Sequence, residues 1–179
     1  MELTAALFDL CTSSSRPIIA IDGPAGAGKT TLAEHLSAAL SLKYKCATIH
    51  MDDLYNGWEA PFDHHFTDAL TAACSSYQSS RRYSLSRFDW SKSEYGPAQE
   101  MAQADLLILE GVGASHSLIR PLLTASIWID IEPSQGLKRV LIRDGESIAS
   151  QMQNWLAQQE ELFAEHQSMA TADFVLTTG

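Results

Sequence analysis

Gly23-Pro24-Ala25-Gly26-Ala27-Gly28-Lys29-Thr30 fits the phosphate-loop pattern G-x-x-x-x-G-K-[ST]. The apolar run Ile18-Ile19-Ala20-Ile21 leads into it and the helix-prone run Thr31-Leu32-Ala33-Glu34-His35-Leu36 leads out. That is the strand, loop, helix order the motif requires, and a plain glycine-rich turn does not need it. Each residue type has a physical reason. Glycines at 23, 26 and 28 allow backbone angles and close approaches that a side chain would block, so successive N–H groups can point at phosphate oxygens. The helix that starts near Gly28 adds the positive end of its dipole. Lys29 reaches the outer phosphates as a point charge, the Thr30 hydroxyl suits Mg²⁺, and Thr31 can donate to the inner phosphate. Gly23, Ala25, Gly26, Ala27, Gly28, Lys29, Thr30 and Thr31 are therefore the expected nucleotide contacts.

Outward from the loop, the chain of 179 residues is long enough for one domain with a substantial core. Residues 1–179 are read as a single unit. A net charge of −10 argues against a protein held on nucleic acid or on an anionic membrane, which needs clustered Lys and Arg. A small-molecule partner is expected instead, and a homo-oligomer is compatible with the sequence. Cys11, Cys46 and Cys74 form no C-x-x-C pair, so neither a disulfide framework nor a zinc site is suggested. The N-terminus lacks a basic leader with a long apolar core, and no apolar run approaches membrane-spanning length; a cytoplasmic protein is expected. Leu3, Leu7 and Leu10 at helical spacing predict a short amphipathic helix.

Further strands follow at residues 46–51, 105–109, 126–131 and 172–176. Helical periodicity is read at 30–40, 59–80 and 148–167, with a short helix at 118–123 and another after Pro133 capped by Ser134. Five strands alternating with helices predict a three-layer α/β fold with a mostly parallel sheet. The second strand ends on Asp52 and Asp53, and the third on Glu110. In open α/β sheets ligands bind outside the carboxyl ends of the strands, which puts these acids beside the phosphate loop. Glu110 can orient a water of the Mg²⁺ shell, and its other reading is an ion pair with Lys29. Asp52 can hold Mg²⁺ or cap a helix, and Asp53 can cap or support it. Lys138, Arg139 and Arg143, followed by Asp144-Gly145, have the look of a lid whose arginines close over phosphates. Tyr83 to Trp90 alternates as an extended segment or hairpin. Its Phe88-Asp89-Trp90 suits a flat or hydroxylated acceptor, with Trp90 stacking and Asp89 or Arg87 hydrogen-bonding. On the other reading, Phe88 and Trp90 are packing anchors and Asp89 pairs with Arg81 or Arg82. His64 and His65 read as surface residues rather than a metal site.

Met51-Asp52-Asp53-Leu54-Tyr55 resembles the D-x-F-Y segment of uridine-cytidine kinases, and the phosphate loop, Leu109-Glu110-Gly111 and Arg139 to Asp144 occur in that family's order. Met-Asp-Asp-Leu-Tyr-Asn-Gly-Trp and Glu-Gly-Val-Gly-Ala are similar to uridine-kinase-like proteins of actinobacteria. The resemblance implies a P-loop kinase with strand order 2-3-1-4-5, ATP and Mg²⁺ as cofactors, a substrate arm at about 55–100 and a lid at about 137–147. It implies that Asp52 accepts the proton of the acceptor hydroxyl, with Tyr55 beside it. Phe62-Asp63-His64 resembles the F-D-H-P segment, whose Asp binds ribose, and Phe88-Asp89-Trp90 resembles a Y-D-F that covers the base. Where that family reads the pyrimidine with histidine, this chain has Ser93. The implied function is phosphoryl transfer to a hydroxyl of a small metabolite, such as a nucleoside. The alternatives are a nucleoside monophosphate kinase, using Arg81, Arg82 and Arg87, and a regulatory module that binds nucleotide without transfer. No N-K-x-D segment occurs, so the guanine-reading device of GTPases is missing.

Overall fold

The computed structural model describes residues 3–178. Strands β1 (Ile18–Asp22), β2 (Cys46–His50), β3 (Leu106–Glu110), β4 (Ala125–Asp130) and β5 (Phe174–Thr177) form one parallel sheet in the order β2-β3-β1-β4-β5. The expected 2-3-1-4-5 order is thus observed. β1 and β3 are buried along their whole length, which explains their unbroken apolar runs: a parallel sheet is covered on both faces.

Alternation along each strand sorts the core into two layers. Ile19, Ile21, Leu106, Ile108 and Ile127 pack with Leu7 and Cys11 of α1 (Leu3–Thr12) and with Ala33, Leu36 and Leu40 of α2 (Lys29–Leu40). On the opposite face, Ile18, Ala20, Leu107 and Leu109 meet Phe66, Leu70 and Tyr77 of α3 (His64–Ser80) and Met152 and Trp155 of α5 (Ala149–His166). The remaining helix, α4 (Pro133–Asp144), buries only Gly136 and Val140. Among the described residues no helix is long and apolar enough to cross a membrane.

Several local expectations are corrected. β2 is not a buried strand: it lies at the sheet edge and only Ile49 is buried. In α1 the inward stripe runs through Ala6, Leu7 and Cys11, while Leu10 is exposed. α3 begins at His64 rather than 59, because Asp63 stops the chain there as its N-cap. Residues 118–123 hold only a 3₁₀ turn at Arg120–Leu122, since Pro121 removes a backbone donor. At α4 the cap is Glu132, whose carboxylate accepts from the Gln135 N–H, and Ser134 donates its hydroxyl to that same carboxylate.

Candidate active site

The phosphate loop joins β1 to α2 at the carboxyl end of the sheet, with β3 and β4 on either side of β1. Its conformation requires glycine at two instructive places. A Cβ at Gly26 would lie 2.2 Å from the Gly136 carbonyl oxygen, so loop and α4 touch through bare backbone. Gly28, at φ 95°, is also left-handed, but a Cβ there would meet nothing within 4 Å. The space in front of Gly28 is therefore a cradle open at the N-terminus of α2, where backbone donors favour phosphate.

Lys29 is almost fully buried, and its ammonium donates to the Gly23 and Pro24 carbonyls at 2.8 and 2.7 Å. Burial pushes its pKa down, against the pull of the Asp22, Glu110 and Asp52 carboxylates. Asp22 is a residue that the sequence reading passed over. Fully enclosed, it accepts from the Gly23 N–H at 2.8 Å, the Gly113 N–H at 2.9 Å, and the Ser115 N–H and hydroxyl at 3.0 and 2.6 Å. It thereby ties the start of the phosphate loop to the loop after β3. Its signal was an acid in the last place of a buried apolar strand. Desolvation nonetheless raises its pKa. A second missed residue is Gln159 of α5, whose side-chain oxygen accepts from the Ala25 N–H at 2.9 Å.

The acids predicted from the sequence do converge. Glu110 accepts the Thr30 hydroxyl on one oxygen at 3.2 Å, and its other oxygen lies 2.5 Å from Nδ1 of His50. The expected Glu110–Lys29 pair is replaced by this His50 contact, which no motif marked. Asp52 sits in a 3₁₀ turn, Met51–Asp53, just beyond β2. It does not cap a helix with its side chain. Its carboxyl reaches the solvent of a concave cleft, yet protein crowds it on most sides. Desolvation raises its pKa first and the nearby Glu110 charge second.

The cleft holds about 520 Å³. Its lining includes Lys29, Thr30, Asp52 and Glu110, Arg139 and Arg143 of α4, and the apolar side chains of Tyr55, Trp58, Trp90, Met152 and Trp155. Arg139 donates to the Gly26 carbonyl at 3.4 Å, so the predicted lid already touches the loop. Arg143 donates along one edge of its guanidinium, through Nε and Nη2, to the two oxygens of Asp144, at 2.7 and 2.6 Å. Thr30, Glu110 and Asp52 all line the cleft as hard oxygen donors, the first two in direct contact, a set that fits Mg²⁺.

The arm is a hairpin, as expected: Phe88–Asp89 pairs with Glu94–Tyr95, and Ser84–Leu85 with Gln99–Glu100. It is fastened to three successive residues of the Asp52 turn. The Trp90 indole donates to the Asp52 carbonyl at 3.0 Å, Arg87 pairs with Asp53 at 3.2 Å, and the Tyr95 hydroxyl donates to the Leu54 carbonyl at 2.9 Å. Trp90 both lines the cleft and packs on Trp58 and Phe88. Three expected substrate contacts lie outside the cleft lining. Arg87 is engaged by Asp53. Asp89 holds the Ser91 hydroxyl and N–H and the Lys92 ammonium, which pull its pKa to about 2; it does not pair with Arg81 or Arg82. Asp63 caps α3 and accepts from Asn56 at 2.8 Å.

A family model described as an AAA domain matches residues 19–161. A segment of 42 residues is 57% identical to the bifunctional pantoate ligase/cytidylate kinases of Synechococcus elongatus and of a second Synechococcus strain; it covers 23% of this chain and 8% of theirs. The chain thus spans less than a tenth of the length of those curated relatives. Among solved structures, the fold is shared with a candidate fructose transport system kinase from Silicibacter sp., at a TM-score of 0.73 and 20% identity over 98% of this chain and 99% of that one. A candidate uridine kinase from Bacillus stearothermophilus gives 0.67 and 20% over 98% and 100%. The D-glycerate 3-kinase of Cryptococcus neoformans var. grubii gives 0.62 and 13% over 99% and 96%. At such identities these likenesses concern the fold.

Proposed function

The chain belongs to the AAA domain family, and from that premise we propose that it is a kinase that transfers the γ-phosphoryl group of ATP to a hydroxyl of a small metabolite. The observation that carries this reading is the meeting, in one cleft, of a phosphate loop, two carboxylates and an aromatic wall. In the proposed reaction the acceptor oxygen bonds to the γ-phosphorus while the bond to the bridging oxygen breaks. The bridging oxygen leaves on ADP with the bonding pair, and the acceptor's proton passes to Asp52. Its raised pKa suits a base that must accept a proton. The backbone of the loop and Lys29 bind and orient the phosphates, and the arginines of α4 offset charge on the moving group. Thr30 and Glu110, with Asp52 close by, would hold Mg²⁺, which when bound neutralises phosphate charge. Residues 55–100 act as the acceptor arm and residues 137–147 as the lid of one unit.

The aromatic side chains Trp58, Trp90 and Trp155 favour an uncharged, flat or hydroxylated acceptor such as a nucleoside, in keeping with the uridine-kinase-like reading of 51–58 and 110–114. The 42-residue similarity to bifunctional pantoate ligase/cytidylate kinases favours a second reading, in which the acceptor is a nucleoside monophosphate. Against it, the three arginines expected to supply cations for such an acceptor phosphate are paired elsewhere: Arg81 with Asp105, Arg82 with Glu100 and Arg87 with Asp53.

The test is transfer of labelled γ-phosphate from ATP to nucleosides, nucleoside monophosphates and sugars, in wild type and Asp52→Asn. We expect a labelled product from an uncharged acceptor, falling about 10²- to 10⁴-fold in Asp52→Asn while ATP still binds. Labelling of nucleoside monophosphates alone would establish the second reading. ATP binding with no product on any acceptor would favour a nucleotide-binding module.

A further inference from the structure

We propose that His50 is a positioning residue that holds the Glu110 carboxylate in the orientation needed for a nucleotide-bound divalent cation. The inference rests on the proposed kinase reading only in giving Glu110 to the metal.

The two residues are paired by the sheet itself. His50 is the last residue of edge strand β2 and lies directly opposite Glu110 in the parallel register with β3. Registered residues of neighbouring strands project from the same face, so the imidazole has no need to search for the carboxylate. Nδ1 lies 2.5 Å from Oε1, while Oε2 takes the Thr30 hydroxyl at 3.2 Å. A carboxylate only accepts, so Nδ1 carries the hydrogen in whichever form the ring adopts. One oxygen is thus pinned from β2 and the other from α2, which fixes the rotation of the group about its last bond.

The pinning matters because of what surrounds Glu110. It is buried in a cleft that also contains the buried ammonium of Lys29 and the carboxylate of Asp52. A carboxylate free to rotate there could turn to Lys29 and be lost to the metal. Groups that orient a ligand from behind typically change metal affinity about 10- to 100-fold. His50 itself is half-exposed at a strand end, so its replacement removes little packing.

The experiment needs no acceptor. Mn²⁺ is titrated, with electron paramagnetic resonance as the readout, into protein saturated with a non-hydrolysable imido analogue of ATP. The proteins are wild type, His50→Ala, His50→Gln, Glu110→Gln and the His50→Ala/Glu110→Gln double variant, and affinity for the metal-free nucleotide is measured in parallel. His50→Ala is expected to weaken Mn²⁺ about tenfold and to leave metal-free nucleotide affinity unchanged. His50→Gln, which keeps a donor at that end of β2, should recover most of the loss. In the Glu110→Gln background, removing His50 should add nothing. Equal Mn²⁺ affinity in wild type and His50→Ala, or losses that simply add in the double variant, would overturn the assignment while leaving the kinase reading intact. If wild type with nucleotide bound takes up no Mn²⁺, the assignment and the metal-dependent reading fall together. Absence of phosphoryl transfer to any acceptor bears only on the kinase reading.

Discussion

Gly136→Ala adds one methyl group within the first turns of α4, and two effects of opposite sign compete. In a helix interior alanine is favoured over glycine by about 0.8–1 kcal/mol. Against this, the new Cβ would stand 2.6 Å from the Ala25 carbonyl oxygen, where contacts below 3.0 Å are essentially never seen and comfort begins near 3.4 Å. Helix and loop must therefore part by at least 3.0 − 2.6 = 0.4 Å, and by 3.4 − 2.6 = 0.8 Å to relax fully. The obstacle is main chain and cannot swing aside. It is also braced: Gln159 holds the Ala25 N–H, and Lys29 holds the carbonyls of Gly23 and Pro24. Inserting a methylene into such a contact costs about 1–3 kcal/mol, so the strain wins and the net loss is about 1 kcal/mol. For a chain of this length that lowers Tm by about 2–4 °C. A phosphate loop displaced by several tenths of an ångström should also bind nucleotide more weakly, by about tenfold, given that a misplacement of about 1 Å can cost 10²-fold. Thermal unfolding and calorimetric titration with the imido analogue of ATP report both. The difference between Lys138→Gly and Lys138→Ala, at an exposed position of the same helix, measures the propensity effect alone. A Gly136→Ala protein more stable than wild type, with undiminished nucleotide affinity, would refute the reasoning.

Three further outcomes are expected. Asp63→Ala should cost about 1 kcal/mol in urea unfolding through loss of the α3 cap and leave transfer kinetics unchanged; a selective rise in acceptor KM would restore Asp63 as a substrate contact. Asp22→Asn replaces one of the two accepting oxygens by an amide donor, set either against the Gly23 and Gly113 N–H groups or against the Ser115 N–H, and should destabilise by about 1–3 kcal/mol in the same assay. For His116, burial first, then His166 and Arg120, pull the pKa from 6.5 to about 4. The unfolded chain then binds the extra proton between those values. Stability should be complete above about pH 6.5 and fall by about 3 kcal/mol toward pH 4, from 6.5 − 4 = 2.5 units. His166, also depressed, works in the same direction. His116→Phe should flatten that stability profile, and an unchanged slope would remove His116 as its cause.

The fold and the phosphate loop were legible in the residues because both depend on local chemistry. Unbroken apolar strands, glycines where φ is positive, and an acid closing each strand beside the loop are patterns of near neighbours in sequence. They were enough to bring Lys29, Thr30, Asp52, Glu110, Arg139 and Arg143 to one cleft. What only the tertiary structure decided is how polar side chains far apart in sequence share one another. His50 meets Glu110 because two strands align, Asp22 binds a loop more than ninety residues later, and Gly136 is small because Ala25 lies against it. The same cause sets Asp63, Arg87 and Asp89 outside the cleft lining, where each meets a cap or a counter-charge of the protein itself. A motif fixes which group a residue carries, but hydrogen bonds and charges act over a few ångströms, and only folding determines which groups come that close.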